Sequence, residues 1–212
     1  MLNGLHAAIT VVRMKPQLIL VRHGETEWSR TGQHTGRTDI DLTDRGRNEA
    51  ALVAPTLEGW DFAHVYSSPL SRAYDTAKLA TIGGEIIVDE ALVEWDYGVY
   101  EGRTNVDIVA EEPGWSKWTA TEIENGETAY DVGVRADAAI DSLLNDACGD
   151  GPVLVFAHGH FLAIFVARWL GLDATMGKRF IIQTATVTQL STKRNDRVLK
   201  TLNHRIGPVL AP

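Results

Sequence analysis

The sequence predicts a single α/β domain of three layers, a mostly parallel sheet with helices on both faces. Three observations predict it. Two short apolar runs, residues 17–21 and 151–157, have the length and composition of strands buried on both faces. Strand-like and helix-like segments alternate along the chain, the order that produces a parallel sheet with crossover helices. Both apolar runs lead into a His-Gly pair, His23-Gly24 and His158-Gly159. Open α/β sheets bind their ligands beyond the carboxyl ends of their strands, so the two pairs point to one shared site.

The elements follow in order. The first strand is expected at about 17–22. Residues 29–41 are polar and carry Gly32 and Gly36, which makes them loop. Thr43 fits an N-cap with Asp44 in the first turn, for a helix running to about Leu57. Residues 63–67 form a second strand. Ser68-Pro69 then serves as cap and first helical position for a helix carrying Arg72, Tyr74, Thr76 and Leu79. A short strand is expected at 86–88. Residues 89–126, rich in Trp, Glu and Gly, are expected to be irregular, with 103–126 inserted over the strand ends, where specificity commonly lies. Residues 130–144 form an amphipathic helix with Val134, Ala138 and Leu143 at helical spacing. The strand at 152–157 leads into an apolar helix from Phe161 to Leu170, which Gly171 stops. Two strands at about 186–191 and 197–202 complete the sheet. Residues 1–13 are expected to be a dispensable extension ahead of a domain at 14–212.

Composition narrows the function classes. A net charge of -8 argues against nucleic-acid binding, which needs basic surface to displace counterions. An acidic protein can still focus a positive field in one cleft, so anionic substrates remain open. Cys148 is the only cysteine, which excludes an internal disulfide and a thiolate metal cluster and suits a cytoplasmic protein. No apolar run is long enough to span a bilayer. The expected partner is a small molecule, with a homodimer left open.

A histidine at a strand end is ordinarily a surface residue or a hydrogen-bonded one. Here the string Leu20-Val21-Arg22-His23-Gly24-Glu25-Thr26-Glu27-Trp28 follows a strand and has a His-Gly partner after another. Arg72, in the first turn of a helix that starts at a strand end, faces the same rim. Two arginines and a helix N-terminus suit a dianionic oxyanion, and a phosphomonoester carries roughly -1.5 to -2 charge near neutral pH. A neutral histidine can attack phosphorus and split one displacement into two. The leaving oxygen then needs an acid. Glu94, beside Trp95 and Tyr97, is the strongest candidate, because neighbouring aromatic rings can raise its pKa by desolvation. Asp96 and Glu101 compete with it. Trp95, Trp115 and Trp118 are candidates for an apolar wall, or simply for packing.

With these residues the chain resembles the histidine phosphatase superfamily, in the branch of phosphoglycerate mutase-like proteins and broad acid phosphatases. The matching stretches are residues 20–28, Thr35-Gly36 with residues 42–46, residues 67–77, 92–102 and 156–161, in the family's order. The resemblance implies a mixed sheet with one antiparallel strand. It implies that His23 is phosphorylated, that Arg22, Arg72 and His158 hold the phosphoryl group, and that Glu94 gives and takes the proton. Ser29, Thr35, Gly36, Tyr97 and Gly159 would lie against substrate. No cofactor or metal is implied. Mutases of the family carry a lysine and an adjacent arginine pair in a longer insertion. Here that region offers Arg103 and Lys117 without the pair, so a phosphomonoester phosphatase is expected over a cofactor-dependent phosphoglycerate mutase. Two rivals remain. A metal hydrolase would use His158 and His160, but on a strand these would point to opposite faces. A catalytically inactive phospho-ligand-binding module would ordinarily lack the nucleophile or the acid, and both are present.

Overall fold

The computed structural model describes residues 16–81, 84–147 and 151–205. The expected extension at 1–13, and Cys148, lie outside them. The strands are β1 (Leu18–Arg22), β2 (His64–Ser67), β3 (Ile87–Val88), β4 (Val153–Ala157), β5 (Val187–Lys193) and β6 (Asp196–His204). They form one sheet in the order β3-β2-β4-β1-β5-β6. β3, β2, β4 and β1 are mutually parallel, and β5 runs antiparallel to both β1 and β6. β5 alone therefore opposes the rest, as the family resemblance implied.

Alternation along β1 and β4 explains the three layers. Leu18, Leu20, Val153 and Val155 face one side, where they pack with α6 (Ala129–Asp146) and α7 (Gly159–Trp169). Ile19, Val21, Leu154 and Phe156 face the other, against residues of the segment holding α1 (Glu27–Thr31), α2 (Asp44–Ala51), α3 (Ala54–Leu57) and α4 (Ser71–Ala80). A two-residue side-chain period on a doubly covered sheet requires apolar residues at every position, and β4 is buried throughout.

Several local expectations need correction. The segment read as loop from residue 29 starts inside α1, because Thr26 and Ser29 form a capping box and the helix ends only at Gly32 (φ 80°). Thr43 caps α2 as expected, accepting from Gly46 N at 2.9 Å. The helix does not run on to Leu57, however. Pro55 has no N–H for the carbonyl four residues back, at Ala51, where α2 stops, and α3 begins separately. Ser68-Pro69 does not cap α4. Leu70 is the N-cap residue, and the Ser71 amide donates to Asp39 Oδ1 at 2.8 Å, while the Ser68 hydroxyl is bonded to His158. The Thr104–Asp107 capping box and buried Ile108 form α5 (Asn105–Glu111) within a segment expected to be irregular. On α6, Val134 and Ala138 are exposed; the buried stripe runs through Val132, Ala136, Ala139, Ile140 and Leu143. That stripe carries more apolar side chains at the i, i+4, i+7 spacing and so takes the core. Finally, His158 and His160 are not a strand pair. β4 ends at Ala157, His158 is the N-cap residue of α7 and His160 lies in its first turn. Among the described residues no helix is long and apolar enough to cross a membrane.

Candidate active site

The first layer of the site is built by strand ends. His23 N donates to Ala157 O at 3.0 Å and Ser68 N to Phe156 O at 3.0 Å, so the chain keeps sheet-like bonding just beyond β1, β2 and β4. Gly24 N donates to Thr76 Oγ1 at 3.0 Å, which ties the turn after β1 to α4. A side chain at Gly24 would meet Gly46 O at 2.3 Å, so only glycine lets this turn close on α2.

His23 is 4% exposed. Its Nδ1–H donates to the Gly24 carbonyl at 2.7 Å, because a carbonyl can only accept. The lone pair therefore belongs to Nε2. Burial, then the charges of Arg22 and Arg72, hold the ring well below its ordinary pKa, so it is neutral near pH 7. The His158 ring lies 5.2 Å from that of His23. Arg72 Nε–H donates to His158 Nδ1 at 3.2 Å, which leaves the His158 proton on Nε2, bonded to Ser68 Oγ at 2.8 Å. Burial first, and Arg72 second, hold His158 neutral too.

The two arginines differ. Arg22 gives Nη1 to Ile182 O at 2.7 Å, while its buried Nε has no hydrogen-bond partner. Gly159 packs against this guanidinium; a Cβ there would lie 3.1 Å from Arg22 Nε. Arg72 is fully buried. Besides its His158 bond, it donates to the carbonyls of Thr38 (3.0 Å), Thr35 (3.3 Å) and Gly36 (2.8 Å). It thus pins the loop between α1 and α2 under the site. The helix N-terminus expected to face an anion beside Arg72 is occupied by Asp39 instead.

Glu94 is 4% exposed and sits at the N-terminus of α7. Its Oε1 accepts from Phe161 N at 2.7 Å and Trp95 N at 2.9 Å, and its Oε2 from His160 N at 3.1 Å. Behind it, Arg135 donates to Val93 O at 2.7 Å and Glu94 O at 3.2 Å and pairs with Glu127 at 2.8 Å. This clamp fixes the Glu94 segment to α6. Asp96 and Glu101 face elsewhere: Asp96 pairs with Arg37 at 3.5 Å, and Glu101 accepts from Gly36 N at 2.8 Å and Thr38 N at 2.9 Å.

These groups surround a cavity of about 400 Å³. Of the residues expected from sequence, Arg22, His23, Ser29, Thr35, Glu94, Tyr97 and Gly159 line it. Gly36, Arg72 and His158 stand behind its wall. Tyr97 Oη and His160 Nδ1 share a hydrogen bond of 2.6 Å. Burial, then Glu94, pushes the phenol well above its ordinary range, so it keeps its proton. His34 stacks on Tyr97 at 4.7 Å and lines the same cavity. Trp118 also lines it, edge-on to Trp95 at 5.3 Å; Trp115 instead packs on Tyr100 at 4.5 Å. Lys117, between those two tryptophans, reaches the cavity as well. Sequence reasoning did not place His34 in the site, named Lys117 only as a cation of the inserted region and considered His160 only as a metal ligand. For His34 the available signal was its position directly before Thr35-Gly36.

Residues 18–205 match the family model of the histidine phosphatase superfamily, branch 1. An acid phosphatase of Mycobacterium tuberculosis is 40% identical over 173 residues, which cover 81% of this chain and 84% of that protein. A probable phosphoglycerate mutase of Enterobacter is 34% identical over 181 residues, 82% of this chain and 84% of the relative. The solved structure of an open reading frame from M. tuberculosis superposes with a TM-score of 0.83 at 39% identity, covering 91% of this chain and 99% of that one.

Proposed function

The chain belongs to the histidine phosphatase superfamily, and from that premise we propose that it hydrolyses phosphomonoesters through a phosphohistidine on His23, without a metal. The observation that carries this reading is the state of His23: a neutral ring at the cavity wall, its Nδ1–H held by Gly24 O at 2.7 Å and its lone pair on Nε2. In the first step Nε2 attacks phosphorus and the P–O bond to the alcohol breaks. Glu94 gives its proton to the departing oxygen. In the second step Glu94 takes a proton from water, the water oxygen attacks phosphorus, and the P–N bond returns its electrons to His23. Arg22 binds the phosphoryl oxygens, while Arg72 and His158 act on the same group from behind the wall. The two arginines supply the charge stabilisation that a metal would supply elsewhere, and neutral His158 adds a hydrogen-bonding ring.

The similarity to a probable phosphoglycerate mutase favours a second reading, in which a second substrate replaces water as acceptor. Against it, Arg103 pairs with Glu111 at 2.7 Å and does not line the cavity, so no arginine pair is available to hold an acceptor. A single experiment tests the first reading. Base quenching of the wild type during turnover of a labelled aryl phosphate should trap an acid-labile, alkali-stable phosphoprotein, unaffected by chelator and missing in His23→Ala. Near wild-type turnover in His23→Ala, or loss of activity in chelator restored by a divalent ion, would refute it. With 3-phosphoglycerate and catalytic 2,3-bisphosphoglycerate, free phosphate should dominate; rapid conversion to 2-phosphoglycerate would establish the mutase.

A further inference from the structure

The cavity around His23 carries more positive charge than one phosphoryl group uses. Arg22, Lys117 and Lys178 line it, against Glu94 as the one carboxylate among the lining residues. Lys178 is exposed at the mouth, whereas Lys117 is only 7% exposed. Among the described residues, Lys117 has no ion-pair partner and no hydrogen bond from its ammonium. Burial without a partner is the least favourable setting for a lysine, and chains keep such a charge where a ligand completes it.

The local structure holds that ammonium in place. Trp115 packs on Tyr100, and Trp118 packs edge-on to Trp95 and, at 5.6 Å, to His160. With both flanking indoles fixed, the side chain between them is directed to the cavity. His34 lies next to it: the field of Lys117 is the main electrostatic influence on that ring after burial. His34 Nε2 is buried and has no hydrogen-bond partner. Glu94 acts in turn on Lys117, so the ammonium stands within electrostatic reach of the group that protonates the leaving oxygen.

We propose that Lys117, with His34 beside it, binds a second anionic group of the substrate on the leaving-alcohol side, so that this enzyme prefers phosphomonoesters bearing a further phosphate or carboxylate. The proposal rests on the phosphatase reading above. A cavity of about 400 Å³ suits a small phosphorylated sugar or sugar acid. The cations gathered here also draw such polyanions into a chain whose net charge is -8.

The test uses two matched pairs, fructose 1,6-bisphosphate against fructose 6-phosphate and 3-phosphoglycerate against glycerol 3-phosphate. Wild type should show kcat/KM roughly tenfold or more higher for the doubly anionic member of at least one pair, the worth of one hydrogen bond to a charged group. The responding pair identifies the second group as phosphate or carboxylate. In Lys117→Met that ratio should fall toward one. A purely structural or Glu94-positioning role would lower both members together and leave the ratio standing, which would overturn the proposal. So would equal rates within both pairs in wild type. Wild type alone gives a second measurement. Lys117 loses its proton near pH 8, because burial lowers it. Its titratable neighbours His34 and His160 are already neutral at pH 7. The preference should therefore decay above pH 8, and a preference constant to pH 9.5 would count against Lys117. If no phosphate ester is cleaved, aryl phosphate included, the phosphatase reading itself fails.

Discussion

Replacing Lys117 with methionine should make the protein more stable. The ammonium holds its proton only to about pH 8, against an ordinary 10.5; at about 1.4 kcal/mol for each tenfold, keeping it charged inside the fold at pH 7 costs roughly 3 kcal/mol. Methionine has nearly the same length and no charge, so it removes the cost without opening a cavity. For a domain of this size the gain corresponds to a rise in Tm of roughly 6–12 °C. The pH dependence identifies the cause. Below pH 8 the folded wild type carries the proton and the full cost applies. Between about pH 8 and 10.5 the unfolded chain still binds the proton while the folded one has released it. Wild-type stability therefore rises with pH in that window, and the variant's advantage closes. Urea denaturation of both proteins at pH 7, 9 and 10.5 measures this directly. A Lys117→Met protein that is less stable at pH 7, or whose advantage is the same at all three pH values, would refute the reasoning. A gain in stability accompanied by loss of substrate preference is the pattern expected where function holds a charge that folding disfavours.

Three further expectations concern the acid and the buried histidines. Glu94→Gln should slow alkyl phosphates far more than aryl phosphates in the first step, because an aryl oxide leaves without a proton; equal losses in burst kinetics would remove Glu94 from that role. His23, His34, His158 and His160 are all held below pH 6.5, chiefly by burial, His34 at about 4. The acid limb of kcat/KM should accordingly lie below pH 6.5. Stability should also fall as pH drops from 6.5 toward 4, each histidine adding up to about 1.4 kcal/mol per pH unit, since the unfolded chain takes up protons that the folded one refuses; denaturation midpoints flat across that range would contradict the buried neutral rings.

The parts legible in the sequence are those governed by short-range rules. β1 and β4 were visible because strands buried on both faces need unbroken apolar runs, and Thr43 because a capping threonine binds an amide three residues on. The break at Ala51 was also visible in principle, through Pro55. The buried face of α6 was less accessible. Val134 and Val132 are equally apolar, and the choice between them is made by the sheet and α7 rather than by the helix. His34 and Lys117 were hidden for a related reason. Neither belongs to a periodic element, and their place in the cavity wall is set by tertiary packing of Tyr97, Trp95 and Trp118.

That division between legible and hidden residues follows from the fold. Helices on both faces leave a polar group only the ends of β1, β2 and β4 at which to meet substrate. The chemistry common to any phosphoryl transfer therefore falls at strand ends, where His23 and Ser68 are held by backbone bonds that continue the sheet and His158 by side-chain bonds to Ser68 and Arg72. Their geometry tolerates little change, because Gly24 packs against Gly46 O with no room for a side chain and Gly159 lies close against Arg22. Discrimination between substrates must come from segments that cross the strand ends without joining the sheet. Lys117 lies on such a segment. It is anchored by indoles on either side rather than by a backbone ladder. The nucleophile and the selector thus draw on different parts of the fold. A change at Lys117 should alter which phosphates are cleaved, and a change at His23 whether any are.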